Sequence, residues 1–181
     1  MKKNTTTSWG GVADWYHEKL SSGDTYQEKV ILPNLARILG LKKGERVFDM
    51  ACGEGFFTRE LSGSLALAGQ DGVEIVGADI SPELIAVAKK LSPAREFFVA
   101  PMEDVSFAKN ESFDKAFCVL ALQNIENISR GIREAARVLK SAGKFVIVLN
   151  HPCFRIPKRS SWGFDEKEKI QFRRLDGYLS E

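Results

Sequence analysis

The sequence predicts an α/β fold, a doubly wound and mostly parallel sheet with helices on both faces. Two observations predict it. Between Arg46 and Leu149, short and almost wholly apolar runs alternate with longer amphipathic ones. A strand that is apolar at nearly every position is buried on both faces, which in a globular domain calls for a parallel sheet covered by helices. The second is the glycine-bearing turn Asp49-Met50-Ala51-Cys52-Gly53-Glu54-Gly55, which follows the first such run and opens the first helix-like stretch after it. Right-handed crossovers then wind the chain to both sides of the sheet.

The elements follow in order. Val30, Ile31, Leu35, Ile38 and Leu39 recur at helical spacing, with Pro33 set to start or kink that helix and Gly40 to end it. Arg46 to Met50 reads as the first strand, Phe56 to Leu67 as a helix and Glu74 to Ala78 as the second strand. Ser81-Pro82-Glu83 supplies an N-cap, a first-turn proline and an acidic first turn for a helix ending at Leu91. Glu96 to Val99 and Lys115 to Leu122 are the third and fourth strands. Ser129 to Leu139 is a helix with Ile132, Ala135, Ala136 and Leu139 on one side, and Lys144 to Leu149 is the fifth strand.

Composition excludes several classes of function. The chain has 181 residues, 44% of them hydrophobic, enough for one substantial core. A formal net charge of +2 is too small to indicate nucleic acid. Cys52, Cys118 and Cys153 are odd in number and widely spaced, so neither a disulfide framework nor a metal site is expected. The longest apolar run, Ala116 to Leu122, is strand-sized and cannot span a bilayer. No apolar signal region follows Met1-Lys2-Lys3, and a cytoplasmic protein is expected.

In a doubly wound sheet, ligands bind at the carboxyl ends of the strands, near the point where the strand order reverses. That places chemistry at Asp49 to Gly55, at Asp79, around Met102, and around Asn124 and Asn150. Gly53 and Gly55 allow a sharp turn and close approach to a ligand. A dinucleotide loop would carry a third glycine at position 58, where this chain has Thr58. Asp49 at the strand end suits a ligand with a positive end rather than a pyrophosphate. Asp79, ending the second strand, lies at the distance from the glycine loop where an acid accepts hydrogen bonds from ribose hydroxyls. Its ordinary alternative is an acid at the start of the Ser81 helix.

Asp49 to Gly55 resembles the acid-x-Gly-x-Gly-x-Gly loop of class I S-adenosylmethionine (SAM) dependent methyltransferases, with Ala51 at the first glycine. Ala100-Pro101-Met102-Glu103-Asp104-Val105-Ser106-Phe107, followed by Ser112-Phe113-Asp114, resembles the adenine-binding segment of that family's small-molecule type 11 group. The resemblance runs from about Trp9 to Asn150 and implies a Rossmann-like SAM-binding fold, with SAM as cofactor and S-adenosylhomocysteine as product. It implies cofactor contacts from Asp49, Ala51, Cys52, Gly53, Gly55, Asp79, Ile80, Met102, Glu103 and Leu120. With Pro101 where the family has an acid, adenine recognition falls to the Met102 backbone and Glu103.

Methyl transfer requires alignment and exclusion of water more than a dedicated base. His151, Asn124 and Tyr16 are the candidates should a catalytic group be needed. His151 equally fits a hydrogen-bonded loop residue, and Trp15-Tyr16-His17 equally fits a helix packing its aromatic face. The expected organisation is an N-terminal helical lid over residues 1–43, a SAM-binding core over 44–150 and a substrate-side extension over 151–181. The partner expected is a small-molecule methyl acceptor, with no nucleic acid and no membrane.

Such domains carry two further strands after the fifth. In the 31 residues after Asn150 (181 minus 150), one more element is expected to fit, so those C-terminal strands are expected to be missing. The fifth strand would then be an open edge through which a second copy or a completing subunit could associate. Two functions are thus expected to compete: methylation of a small molecule, and a SAM- or S-adenosylhomocysteine-binding module that needs a partner for catalysis. A nicotinamide-dependent dehydrogenase is disfavoured by Thr58 and Asp49.

Overall fold

The computed structural model describes residues 25–67, 72–151 and 160–175. The chain divides into two units, Met1–Val148 and Leu149–Glu181.

The first unit contains β1 (Arg46–Met50), β2 (Glu74–Asp79), β3 (Phe97–Val99), β4 (Phe113–Val119) and β5 (Leu139–Val148) in one sheet of order β3-β2-β1-β4-β5. Every neighbouring pair is parallel. The order reverses between β1 and β4, so the cleft where ligands bind such sheets opens at their carboxyl ends.

Alternate residues of the strands enter two different cores, which is what double winding requires. Val47, Ile75, Phe117 and Val146 point to one face, where they meet Ile31, Leu35 and Leu39 of the N-terminal helix and Phe57 and Leu61 of α2 (Phe56–Leu67). Phe48, Val76, Ala116 and Cys118 point to the other, against Ala135 and Val138 of α4 (Ile128–Val138). A third cluster joins Cys52 and Phe97 to Ile85 and Ala88 of α3 (Pro82–Leu91).

The N-terminal helix shows what a proline does. Gln27–Ile31 is a π-helical turn that passes into α1 (Leu32–Leu39), with Pro33 in the first turn of α1. Pro33 has no N–H to give to the turn before it, and the wider turn forms there. Gly40 closes α1 in the left-handed conformation, with its N–H on the Ala36 carbonyl. α3 starts as its sequence implies, Ser81 Oγ accepting from Leu84 N–H at 3.3 Å.

Several element ends shift by one residue from the sequence expectation, and three differences are larger. β4 starts at Phe113 and ends at Val119, because Leu120 turns left-handed (φ 54°) and breaks the strand before a short 3-10 turn, Leu122–Asn124. β5 begins at Leu139 rather than Lys144, with a register shift against β4 between Phe113 and Lys115. The third difference is the C-terminal segment, where a single further element was expected. The second unit holds two strands, β6 (Ser160–Asp165) and β7 (Ile170–Leu175), paired antiparallel as a separate sheet. They fit because no helix intervenes: a four-residue turn from Glu166 to Lys169 joins them, held by Lys167 and Glu168 N–H on Asp165 Oδ1 at 2.9 and 3.0 Å. Among the described residues, β5 remains an edge of the five-stranded sheet.

Two glycines make room for Phe97. A Cβ on Gly77 of β2 would lie 2.7 Å from the Phe97 ring and 2.9 Å from Cys52 Sγ, and one on Gly55 would lie 2.9 Å from the same ring. Phe97 itself is buried and cannot swing into solvent. Gly77→Ala is therefore expected to lower stability by about 1–3 kcal/mol, as overpacking a filled core does. Urea denaturation checks this, and Phe97→Leu in the Gly77→Ala background should recover part of the loss.

Candidate active site

The carboxyl ends of β1, β2 and β4 hold two connected hollows. The larger, about 880 Å³, is lined by Ala100–Asp104 and by Asn124–Asn127 with Arg130. The smaller, about 140 Å³, lies over Gly53, Asp79, Leu84 and Val119–Ala121. Ala51, Ile80, Asn124 and Ile125 line both.

The turn after β1 is left-handed at three positions, Ala51 (φ 60°), Gly53 (φ 57°) and Gly55 (φ 76°). Ala51 pays about 1–2 kcal/mol for a conformation that a glycine would adopt freely. A Cβ on Gly53 would meet nothing within 4 Å, so the backbone there faces open space. The turn is closed by Gly55 N–H on the Cys52 carbonyl (3.0 Å) and tied to β2 by Cys52 N–H on the Ala78 carbonyl (2.9 Å).

Asp79 anchors this turn. Its Oδ2 accepts from Gly53 N–H and its Oδ1 from Ser81 N–H, each at 2.9 Å. Burial raises its pKa, and these two N–H groups oppose the rise. A carboxylate has about four acceptor positions, so two remain on Asp79 for a ligand at the cleft it lines. The predicted alternative role, at the start of the Ser81 helix, is thus filled by the same carboxylate.

Asp49 lies below the floor, 2% exposed, with Thr58 Oγ1 donating to its Oδ2 at 2.7 Å. Burial pushes its pKa up to about 7; the Thr58 bond lowers it and the nearby Asp79 charge raises it further. It touches neither hollow among the described residues. Thr58 is thus a partner for the acid, where a dinucleotide loop would need only a small residue for packing. The sequence signal was available: a hydroxyl in the first turn of the helix, nine residues after a strand-ending acid.

The other predicted cofactor residues are placed as follows. Ile80 is 53% exposed beside both hollows. Met102 and Glu103 line the larger one, Met102 buried against Gly131 and Glu103 Oε1 accepting from Asn127 N–H at 3.1 Å. Leu120, left-handed like Ala51, lines the smaller one. Cys52 and Gly55 are in the turn but line neither, and burial holds the Cys52 thiol well above its usual pKa. Of the catalytic candidates, Asn124 lines both hollows. His151 is exposed and belongs to the second unit, and Tyr16 lies outside the described residues. The sequence reading did not select Asn127 or Arg130; Asn127 is the N-cap of α4, accepting from Arg130 N–H at 3.0 Å.

No group of three or more His, Cys, Asp and Glu among the described residues could hold a metal. No helix among them is long and apolar enough to cross a membrane.

A family model described as a methyltransferase domain matches residues 48–147, which is 100 of the 181 residues. The demethylmenaquinone methyltransferase of Chlorobaculum parvum is 30% identical over 136 residues, 75% of this chain and 54% of that protein. The ubiquinone/menaquinone biosynthesis C-methyltransferase UbiE of Geobacter sp. is 34% identical over 116 residues, 61% of this chain and 47% of that one. The chain thus spans about half the length of the curated relatives it matches. Among solved structures, an S-adenosylmethionine dependent methyltransferase from Mesorhizobium loti superposes with a TM-score of 0.68 at 27% identity, covering 87% of this chain and 69% of that one.

The Asp49 environment yields a test of its own. An unfolded aspartate releases its proton near pH 3.8, and folded Asp49 near 7. Between these values the native state holds the extra proton, so this group's contribution to stability falls as pH rises and levels off above about 7. Asp49→Asn keeps an acceptor for Thr58 and removes the titration. Its unfolding free energy in urea, relative to the parent chain, should rise between pH 4 and 7 by up to a few kcal/mol, at about 1.4 kcal/mol per pH unit, and level off above that.

Proposed function

Because the chain belongs to the methyltransferase-domain family, we propose that it binds S-adenosylmethionine at the carboxyl ends of β1, β2 and β4 and transfers its methyl group to a small-molecule acceptor. The observation that carries this reading is Asp79, a buried carboxylate with acceptor positions to spare, held against a left-handed turn whose Gly53 faces open space. Those residues fit an adenosyl ligand. Asp79 accepts from the ribose hydroxyls, the Ala51–Gly55 turn lets the ligand approach the backbone, and Ile80 offers an apolar surface for the base. Met102 and Glu103 stand on the adenine side. Asp79 supplies negative potential toward a cationic ligand, and Asp49 adds to it only above about pH 7, where it loses its proton.

When bound, the cofactor supplies an electrophilic methyl carbon whose sulfur departs with the bonding pair. The chain's task is to align the acceptor and keep water out. Asn124, which lines both hollows, is the residue we assign to orienting an acceptor there. The relatives' names support acceptors of the quinone type as the first substrates to screen. A cytoplasmic setting fits buried, unbridged Cys52 and Cys118.

The test is calorimetric titration of the chain with S-adenosylhomocysteine. One-site binding is expected, weakened at least tenfold in Asp79→Ala, since hydrogen bonds to a charged group contribute about 1.5–3 kcal/mol. A folded parent chain that does not bind would sink the proposal.

A further inference from the structure

The wall of the larger hollow is formed by a segment that no strand holds. Between β3 and β4, Ala100 N–H still reaches the Asp79 carbonyl of β2 (2.9 Å), and Glu111 and Ser112 N–H reach the Arg137 and Val138 carbonyls (3.0 and 2.8 Å). Between these anchors, the backbone bonds of residues 101–110 are local turns, Asp104 N–H on the Pro101 carbonyl (3.1 Å) and Ala108 N–H on the Val105 carbonyl (2.9 Å). What fixes the segment is one face of α4. At the N-cap, Asn127 N–H donates to Glu103 Oε1 at 3.1 Å. One turn on, Gly131 leaves room for Met102; a Cβ there would stand 3.1 Å from Met102 Cγ. Two turns on, Glu134 Oε2 accepts from Val105 N–H at 3.1 Å. Three turns on, the Arg137 guanidinium donates to the Val105 carbonyl (3.1 Å), the Ala108 carbonyl (2.9 Å) and Asn110 Oδ1 (2.9 Å). Glu134 holds the guanidinium in turn, at 2.8 Å to Nε and 2.7 Å to the terminal nitrogen.

Positions 127, 131, 134 and 137 follow helical spacing, so these contacts share one stripe of α4. Arginine suits the last of them because its planar fork can satisfy two carbonyls and a carboxylate together, which an ammonium cannot do with fixed geometry. The same stripe carries the wall from half-buried Glu103 at one end to exposed Asn110 at the other.

We propose that Glu134 and Arg137 are a positioning pair: by fixing residues 103–110 on α4 they hold Met102 and Glu103 in the register that receives the base of the adenosyl ligand. The inference rests on the ligand assignment above. Neither side chain lines the hollow, so the pair acts through the wall it holds.

The experiment compares Arg137→Ala and the milder Glu134→Gln with a control, Lys115→Met, which removes the buried pair between Lys115 Nζ and Glu45 (2.6 Å) at the other end of the strands. Amide hydrogen exchange is followed at Asp104 and Val105 in the ligand-free chains, and S-adenosylhomocysteine and adenosine are titrated at a temperature where all four chains are folded. Faster exchange at 104 and 105 and a tenfold or greater loss of affinity for both ligands in Arg137→Ala, a smaller loss in Glu134→Gln and none in Lys115→Met are expected. Unchanged exchange, or unchanged affinity in a chain with faster exchange, would overturn the pair's role. If the parent chain binds neither ligand, the function proposed above fails, and this role with it. A loss for S-adenosylhomocysteine alone would place the effect away from the base and refute the inference as stated.

Discussion

The cleft depends first on the Asp79 carboxylate. With two bonds it joins the Gly53 turn after β1 to the Ser81 start of α3, across the end of β2. A buried carboxylate is costly to desolvate and persists only when donors replace the water it lost. Here the donors are backbone N–H groups that would themselves be orphans, one in a left-handed turn and one ahead of a helix. The acid and the two segments therefore satisfy one another. The turn cannot relax without stranding Asp79, nor can Asp79 move without stranding the turn.

Sterics act in the same direction. Phe97 occupies the space that side chains at Gly55 and Gly77 would need, so β3 is wedged against both the turn and β2. Ala51 and Leu120, after the neighbouring strands β1 and β4, both line the smaller hollow in the left-handed conformation, although each has a Cβ that disfavours it. Such conformations persist only where the surroundings fix them, and they gather where a backbone must face a ligand. Here Cys52 N–H on the Ala78 carbonyl and Leu120 N–H on the Val148 carbonyl, at 2.9 and 2.8 Å, are the bonds that pin the adjoining backbone.

Much of this was legible in the sequence because it follows from period and punctuation. The all-apolar runs declared buried parallel strands, and Ser81-Pro82-Glu83 declared the start of α3. Asp49, Gly53 and Asp79 fell together at the strand ends because topology puts strand ends together. What escaped the reading depends on partners distant in sequence or on small local choices. The hairpin of β6 and β7 escapes the sequence reading because its apolar residues, Trp162, Phe164, Ile170, Phe172 and Leu175, are scattered among polar and charged ones and the helix expected between the strands is replaced by a tight turn. The early start of β5 at Leu139 depends on pairing with Phe113, which no local pattern announces. Thr58 was read for the glycine it replaced rather than for the hydroxyl it brings, and the acid it serves lies on the preceding strand.

The two sides of the larger hollow are built on different physical grounds. At the floor, backbone position is set by the β ladder, whose bonds run from β1 to both its neighbours and leave little freedom at Ala51 or Ile80. On the outer wall no ladder is available, because the chain has left β3 after three residues and has not yet entered β4. A segment of that length would be mobile if water alone satisfied its carbonyls, and its conformational freedom would be lost on binding at a cost to affinity. Side chains of α4 take the ladder's place there, with Arg137 supplying in one planar group the several donors that a neighbouring strand would have offered. A helix stripe and a strand edge thus serve the same end, and both of them present backbone to the hollow in a fixed position before any ligand arrives.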